Sequence, residues 1–249
     1  MRLKNIASLL LSASLAITIV GCGASSDDST ILKMGTNAAF PPFEYIEGTE
    51  IVGFDVDLAN LIAEELGMEL EIMDMEFNTL TGAVANGIID IAVAGMTNTP
   101  ERRDSVNFSE GYFTSKQMII VPDDSDIKVT DDLTDQTIGV QLGTTGDQFA
   151  SMYIEGADIV RFDKGALAIA DLLNGTIDAV IIDAEPAKNF VAAQDSLQIL
   201  ENPFVEEEYA IAIAKENTEL TEQINDALST LKENGKYDEI FDKYFEKVE

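Results

Sequence analysis

Histidine and tryptophan are absent, cysteine occurs once, and only 15 lysines and arginines stand against 46 aspartates and glutamates in 249 residues. Without histidine the chain lacks the commonest general base and the commonest ligand for zinc, copper and iron. A single cysteine cannot close a disulfide within the chain. Most hydrolase chemistries therefore lose their usual parts, and neither a metal nor a cofactor is expected. The shortage of basic residues leaves a net charge of -31, a field that repels nucleic acid and anionic lipid. The acids are scattered over surface-phase helix positions and loop stretches such as Asp123-Asp124-Ser125-Asp126. That is the pattern of a solvated acidic face, not of a cation site.

Long apolar runs are scarce too. The one present, Ile6 to Val20, follows Arg2 and Lys4 and is shorter than the roughly 20 residues that cross a hydrocarbon core. It reads as a secretory signal. The run stops at Ile19-Val20-Gly21-Cys22, which resembles the lipobox of bacterial lipoproteins. The resemblance implies cleavage before Cys22 and acylation, as with palmitate, of its sulfur. Losing Arg2 and Lys4 moves the net charge from -31 to -33. Small, polar and acidic residues then follow through Thr30, as in a flexible tether. The expected layout is a signal peptide at 1–21, a lipid-anchored tether at 22–30, and about 219 residues beyond, enough for one large domain or two lobes.

Those residues alternate short β-branched runs with amphipathic stretches, which argues for α/β layers. Strands are expected near 31–36, 69–74, 89–95, 117–122, 137–141, 158–162, 177–182 and 209–214. The clearest helix spans Gly53 to Leu66, with Phe54, Leu58, Leu61, Ile62 and Leu66 on one face and Gly67 as the stop. A second runs from about Leu220 to Leu231. A last amphipathic piece, Tyr237 to Phe245, predicts a docked carboxyl end. One pattern occurs twice: Asn86-Gly87-Ile88-Ile89-Asp90 and Asn174-Gly175-Thr176-Ile177-Asp178 share N-G-x-I-D. In each the glycine can end a helix in the left-handed conformation, and the β-branched residues after it can start a buried parallel strand. Two copies predict two lobes of similar construction, although N-G turns are also common between any helix and strand.

In open α/β sheets ligands collect beyond the carboxyl ends of the strands. The first copy runs into Gly95-Met96-Thr97-Asn98-Thr99-Pro100-Glu101-Arg102, where Thr99 reads as an N-cap before Pro100. An arginine on that first turn opposes the helix dipole, so a nearby anion would account for it. The second copy ends in Asp183, an acid where an apolar strand runs out, and Gln141-Leu142-Gly143-Thr144-Thr145-Gly146 offers hydroxyls and backbone donors. A cation, an acid and hydroxyls around one cleft complement a zwitterion. The bland alternatives are a surface ion pair of Arg102 with Glu101 or Asp104, and a helix-capping Asp183 ahead of Pro186.

In order and spacing, T-N-A-A-F-P-P-F-E at 36–44, G-F-D-V-D-L at 53–58, I-D-I-A-V-A-G-M-T-x-T-P-E-R at 89–102, N-F-S at 107–109, L-G-T-T at 142–145 and D-A-V-I-I-D at 178–183 resemble the polar amino acid-binding proteins of ATP-binding-cassette importers. These are the family 3 bacterial extracellular solute-binding proteins. The resemblance implies an α/β, two-lobed, periplasmic-binding-protein-like fold of type II, each lobe a mixed sheet flanked by helices, joined by two hinge crossings. Lobe I would take 31–114 plus 207–249, and lobe II 115–206. It implies that Arg102 grips a ligand α-carboxylate in a two-pronged pairing, that Gly95, Met96 and Thr97 add contacts, and that Thr145 with Thr144 donates from the opposite lobe. Asp183 would receive the ammonium and Phe40 would lie along the ligand side chain, with Leu80 and Gln141 at further pocket positions. Asn37 stands where some members that bind basic amino acids carry an acid. With Gln141 it points to a polar, glutamine-like or cystine-like side chain, while Glu44 and Asp147 keep a basic one open.

The same resemblance implies a monomer on the extracytoplasmic face of the cell membrane, held by lipid at Cys22, which binds an amino acid and meets an ABC permease and ATPase complex. Two rivals are a dehydratase on the same fold, with Glu185 or Glu44 as the acid, and a surface lipoprotein that senses the amino acid without transporting it.

Overall fold

The computed structural model describes residues 30–245; the expected signal peptide, Cys22 and the tether up to residue 29 lie outside them. Chain order begins with β1 (Ile31–Thr36), a small antiparallel sheet of β2 (Ala39–Phe40), β3 (Glu44–Glu47) and β4 (Glu50–Val52), and α1 (Phe54–Leu66). It continues through β5 (Glu69–Asp74), α2 (Phe77–Ala85), β6 (Ile91–Ala92), the single turn α3 (Pro100–Arg103), β7 (Val106–Phe108) and β8 (Phe113–Pro122). After a 3-10 turn come β9 (Thr137–Gln141), α4 (Thr145–Tyr153), β10 (Asp158–Phe162), α5 (Gly165–Leu173), β11 (Ala179–Asp183), α6 (Ala184–Ala192) and β12 (Leu197–Ile199). The chain then returns through β13 (Val205–Tyr209) and β14 (Ala212–Ala214) and closes on α7 (Thr218–Glu233) and α8 (Lys236–Tyr244).

Two mixed sheets result, ordered β5-β1-β6-β14-β7 and β10-β9-β11-β8-β12, with β13 also paired to β8. In the first, β5, β1 and β6 are parallel and β14 runs antiparallel to β6 and β7. In the second, β10, β9 and β11 are parallel and β8 runs antiparallel to β11, β12 and β13. Together with its solved relatives, described below, this is the two-lobed, periplasmic-binding-protein-like α/β fold.

The twice-used N-G-x-I-D does the same work in both sheets. Gly87 (φ 66°) and Gly175 (φ 68°) are left-handed. The following N–H groups reach back to Ala83 and Asp171 at 2.9 and 3.0 Å, closing the helix end in the doubly bonded Schellman pattern. Asp90 donates its N–H to the Lys33 carbonyl at 2.9 Å and accepts the Lys33 N–H at 2.8 Å. Asp178 does both with Thr137, each at 2.8 Å. The isoleucines match as well: a Cβ at Gly35 on β1 would lie 2.3 Å from Ile89 Cδ1, and one at Gly139 on β9 would lie 2.5 Å from Ile177 Cδ1. Each isoleucine thus fills the space its neighbouring strand leaves by having no side chain.

Helix α1 ends as expected, with Gly67 at φ 70°, and buries Phe54, Leu58 and Ile62. Phe43, between β2 and β3, meets Phe113, Tyr209 and Phe245 at 4.8, 5.3 and 5.3 Å between ring centres. The expected piece from Tyr237 to Phe245 is therefore docked through Phe245, against the segment that carries Phe40 and Glu44. The stretch 209–214, expected as one strand, is two. Ala210 donates its N–H to the Met96 carbonyl and Ile211 to the Ser109 hydroxyl, each at 3.0 Å, as the chain passes from one sheet to the other. The β2–β4 hairpin had no clear sequence signal.

Candidate functional site

One narrow cavity is lined by Asn37, Phe40, Gly95, Thr97, Arg102, Gln141, Thr144, Thr145 and Asp183, with Glu44, Phe77 and Ala94 in addition. Nine of the eleven residues expected around a ligand are thus together. Leu80 and Met96 correct the expectation. Both are fully buried in the apolar cluster under α2, with Ile89, Ala92 and Val106, because α2 turns Leu80 toward β1. Asp147 is not at the cavity either: it pairs with Arg161 at 2.9 Å and accepts the Gly143 N–H.

Arg102 follows from local sequence. Thr99 caps α3 by accepting the Arg102 N–H at 3.2 Å, and Pro100 sits in the first turn, where its missing N–H costs nothing. The side chain is buried and makes neither of the ion pairs considered above. Its guanidinium donates to the Thr97 carbonyl at 2.7 Å and to the Gly143 carbonyl, across the cleft, at 2.9 Å. It lies 5.3 Å from the centre of the Phe77 ring. Burial pulls its pKa down, partly opposed by Glu207, Asp183 and Glu101. A desolvated guanidinium with N–H groups beyond its two carbonyl partners is a ready anion receptor.

Asp183 ends β11 and precedes α6, but its side chain does not cap that helix. One oxygen accepts from the Ser115 and Tyr209 hydroxyls and the other from Gln117 Nε2 at 2.7 Å. Burial first, then the Glu207 charge, pushes its pKa up to about 7. The amides expected to set the side-chain preference meet across the cleft, Gln141 Nε2 donating to Asn37 Oδ1 at 3.0 Å. Gly95 is left-handed at φ 54°, and a Cβ there would come within 2.9 Å of the Phe40 ring. Its N–H donates to Asp55 at 2.8 Å.

Sequence reasoning missed Glu207. Its Oε2 accepts from the hydroxyls of both Thr97 and Thr145, the latter at 2.7 Å. Burial raises its pKa. The signal was present in period: in Val205-Glu206-Glu207-Glu208-Tyr209 only Glu207 and Tyr209 are buried, so Glu207 shares the inward face of β13. Phe77 opens α2 and gave no sign of facing the cleft.

Residues 32–247 match the family described as bacterial extracellular solute-binding proteins, family 3. The arginine-binding extracellular protein ArtP of Bacillus subtilis (strain 168) is 36% identical over 245 residues, covering 95% of this chain and 96% of that protein. A probable histidine-binding protein of Neisseria gonorrhoeae is 33% identical, covering 98% and 96%. Among solved structures, the P235GK mutant of ArgBP from T. maritima superposes with a TM-score of 0.84 at 45% identity, covering 88% of this chain and 96% of that one. The chain belongs to the bacterial extracellular solute-binding proteins, family 3.

Proposed function

We propose that this protein is an extracytoplasmic receptor that closes around one α-amino acid and hands it to an ABC importer. The observation that carries the reading is the convergence on one cavity of Arg102, from α3 between two strands of the first sheet, and Asp183, from the end of β11 in the second. Arg102 would pair with the ligand carboxylate while Asp183 takes the ammonium and Phe40 covers the side chain. Relatives named for binding arginine and histidine support a free amino acid as the cargo. The dehydratase alternative loses one of its two acids, because Glu185 is held by Lys188 at 2.6 Å and does not line the cavity.

The lobes would be 31–114 with 207–249, and 115–206. Between them β8 and β13 pair from Val205 opposite Gln117 to Tyr209 opposite Phe113. A ligand held by both lobes binds the closed form better than the open one, and that difference drives closure. A thermal-shift screen of the common amino acids with cystine and ornithine tests the reading. At a hundredfold excess over Kd the true ligand should add about 2.7 kcal/mol, or roughly 5–10 °C in a protein of this size. A melting point that no amino acid moves would remove the proposal.

Anchoring rests on the sequence ending the apolar run at Cys22. Cys22→Ser should shift the protein from the membrane fraction to the soluble one on cell fractionation, and unchanged membrane retention would count against a lipid at that sulfur. Tethering would keep the receptor at high effective concentration near its permease.

A further inference from the structure

The cavity contains more acid than an amino acid's ammonium requires. Once Arg102 and Asp183 are assigned to the ligand's carboxylate and ammonium, Glu44 is left over. It is fully buried and lines the cavity, and neither carboxylate oxygen has a hydrogen-bond partner among the described residues. Asp55, at the start of α1, lies within hydrogen-bonding reach of it. Asp55 Oδ2 accepts from the Gly95 N–H and the Tyr112 hydroxyl, each at 2.8 Å, while its Oδ1 is unpartnered. Two ionised carboxylates in a dry site repel, and each unmatched oxygen bears a desolvation cost. A proton between them removes the repulsion and gives the pair the one donor it lacks. The charged groups that act on Glu44 are Asp55 from α1 and Asp183 from β11, both acids. The Tyr112 phenol contributes its proton to Asp55. On the same cavity wall stand two aromatic rings, Phe40 and Phe77, whose faces attract cations.

We propose that Glu44 is the counter-ion for a positive charge on the ligand's side chain, and that one proton held by Glu44 and Asp55 in the empty cleft leaves to water as that cation enters. The proposal rests on the amino acid reading above and narrows it to basic amino acids. The exchange balances: the ligand brings one positive charge to the pair and the pair releases one. Burial, and then Asp55, holds the Glu44 carboxyl well above the usual carboxylate range, and the Asp55 carboxyl is pushed up to about 6. The sign follows. At low pH the pair is protonated and a cation must displace the proton, so affinity for a basic ligand rises with pH until the empty site is itself ionised. The limit is about tenfold per pH unit for one exchanged proton. A neutral side chain lacks this added dependence and keeps only the one that the Asp183 carboxyl gives to any ligand's ammonium.

Titration calorimetry of the purified protein with arginine and with its uncharged isostere citrulline, near pH 7 in buffers of different ionisation enthalpy, tests this. The expected result is about one more proton released per arginine than per citrulline, since the Asp183 carboxyl gives up the same fraction of a proton to either ammonium, and an arginine-to-citrulline affinity ratio that climbs several-fold from about pH 6 to about pH 7. Glu44→Gln should abolish the extra proton released by arginine over citrulline and cost arginine at least about tenfold in affinity, while citrulline stays within a few-fold. The wild-type measurement stands even if that variant folds poorly. Equal proton release by arginine and citrulline, or no affinity advantage for arginine, would overturn the exchange and leave the amino acid reading intact. If no amino acid binds at all, both fall.

Discussion

Arg102→Ala should reduce amino acid affinity by about two to three orders of magnitude, the roughly 3–4 kcal/mol lost when one partner of a desolvated, hydrogen-bonded charge pair is truncated. The ligand carboxylate would remain in a site whose other nearby charges, Glu44, Asp183 and Glu207, are acids. The change also acts without ligand. Arg102 joins Thr97 on one side of the cleft to Gly143 on the other, so losing both bonds should lower the melting point of the empty protein by a few degrees. Arg102→Lys separates the two effects: it keeps the charge but cannot form the planar, two-pronged pairing, so its affinity should fall between the two. Calorimetry on all three proteins checks this. Wild-type affinity in the alanine variant would dismiss Arg102 as the carboxylate receptor.

Gly53→Ala should be the most destabilising small substitution in the hairpin region. Gly53 has φ 137° and ψ 176°, a conformation essentially closed to other residues. A Cβ there would lie 2.1 Å from the Phe43 carbonyl oxygen and 2.9 Å from the Glu44 nitrogen. Both obstacles are backbone and cannot swing aside. A cost of about 3 kcal/mol or more is expected, lowering the melting point by roughly 6–12 °C. Because the displaced segment carries Phe40 and Glu44, ligand affinity should fall as well. Gly48→Ala is the control: at φ 64° with nothing within 4 Å of the new methyl, it should cost only about 1–2 kcal/mol. Equal melting points for the two variants would contradict the argument.

The legible parts of this molecule are those where one local rule suffices. The 3.6-residue spacing of Phe54, Leu58 and Ile62 and the glycine stop at Gly67 gave α1. The double N-G-x-I-D anticipated two matching turns, and the structure adds that each aspartate also ties two strands together. Arg102 was legible because a cation in the first turn of a helix is out of place unless something negative comes near. What stayed hidden depends on partners far away in sequence. Leu80 and Phe77 share α2, and only the position of β1 decides that Leu80 enters the core while Phe77 lines the cleft. Glu44 was named as an acid that could meet the ligand, but its full burial, in a hairpin beside exposed Ile46 and Glu47, comes from α1 and the aromatic cluster packing around it. Glu207 was masked by two solvent-facing glutamates on either side.

The ladder between β8 and β13 has a mechanical consequence. Two separate single-strand connections would leave the halves of the molecule free to slide, twist and tilt independently. Zipped together over five residue pairs from Val205 to Tyr209, they behave as one ribbon, which flexes readily across its face and resists shear along its length. Under the closure proposed above, widening of the cleft would thereby be channelled toward a single degree of freedom, and the residues on its two walls would return to the same register on closing.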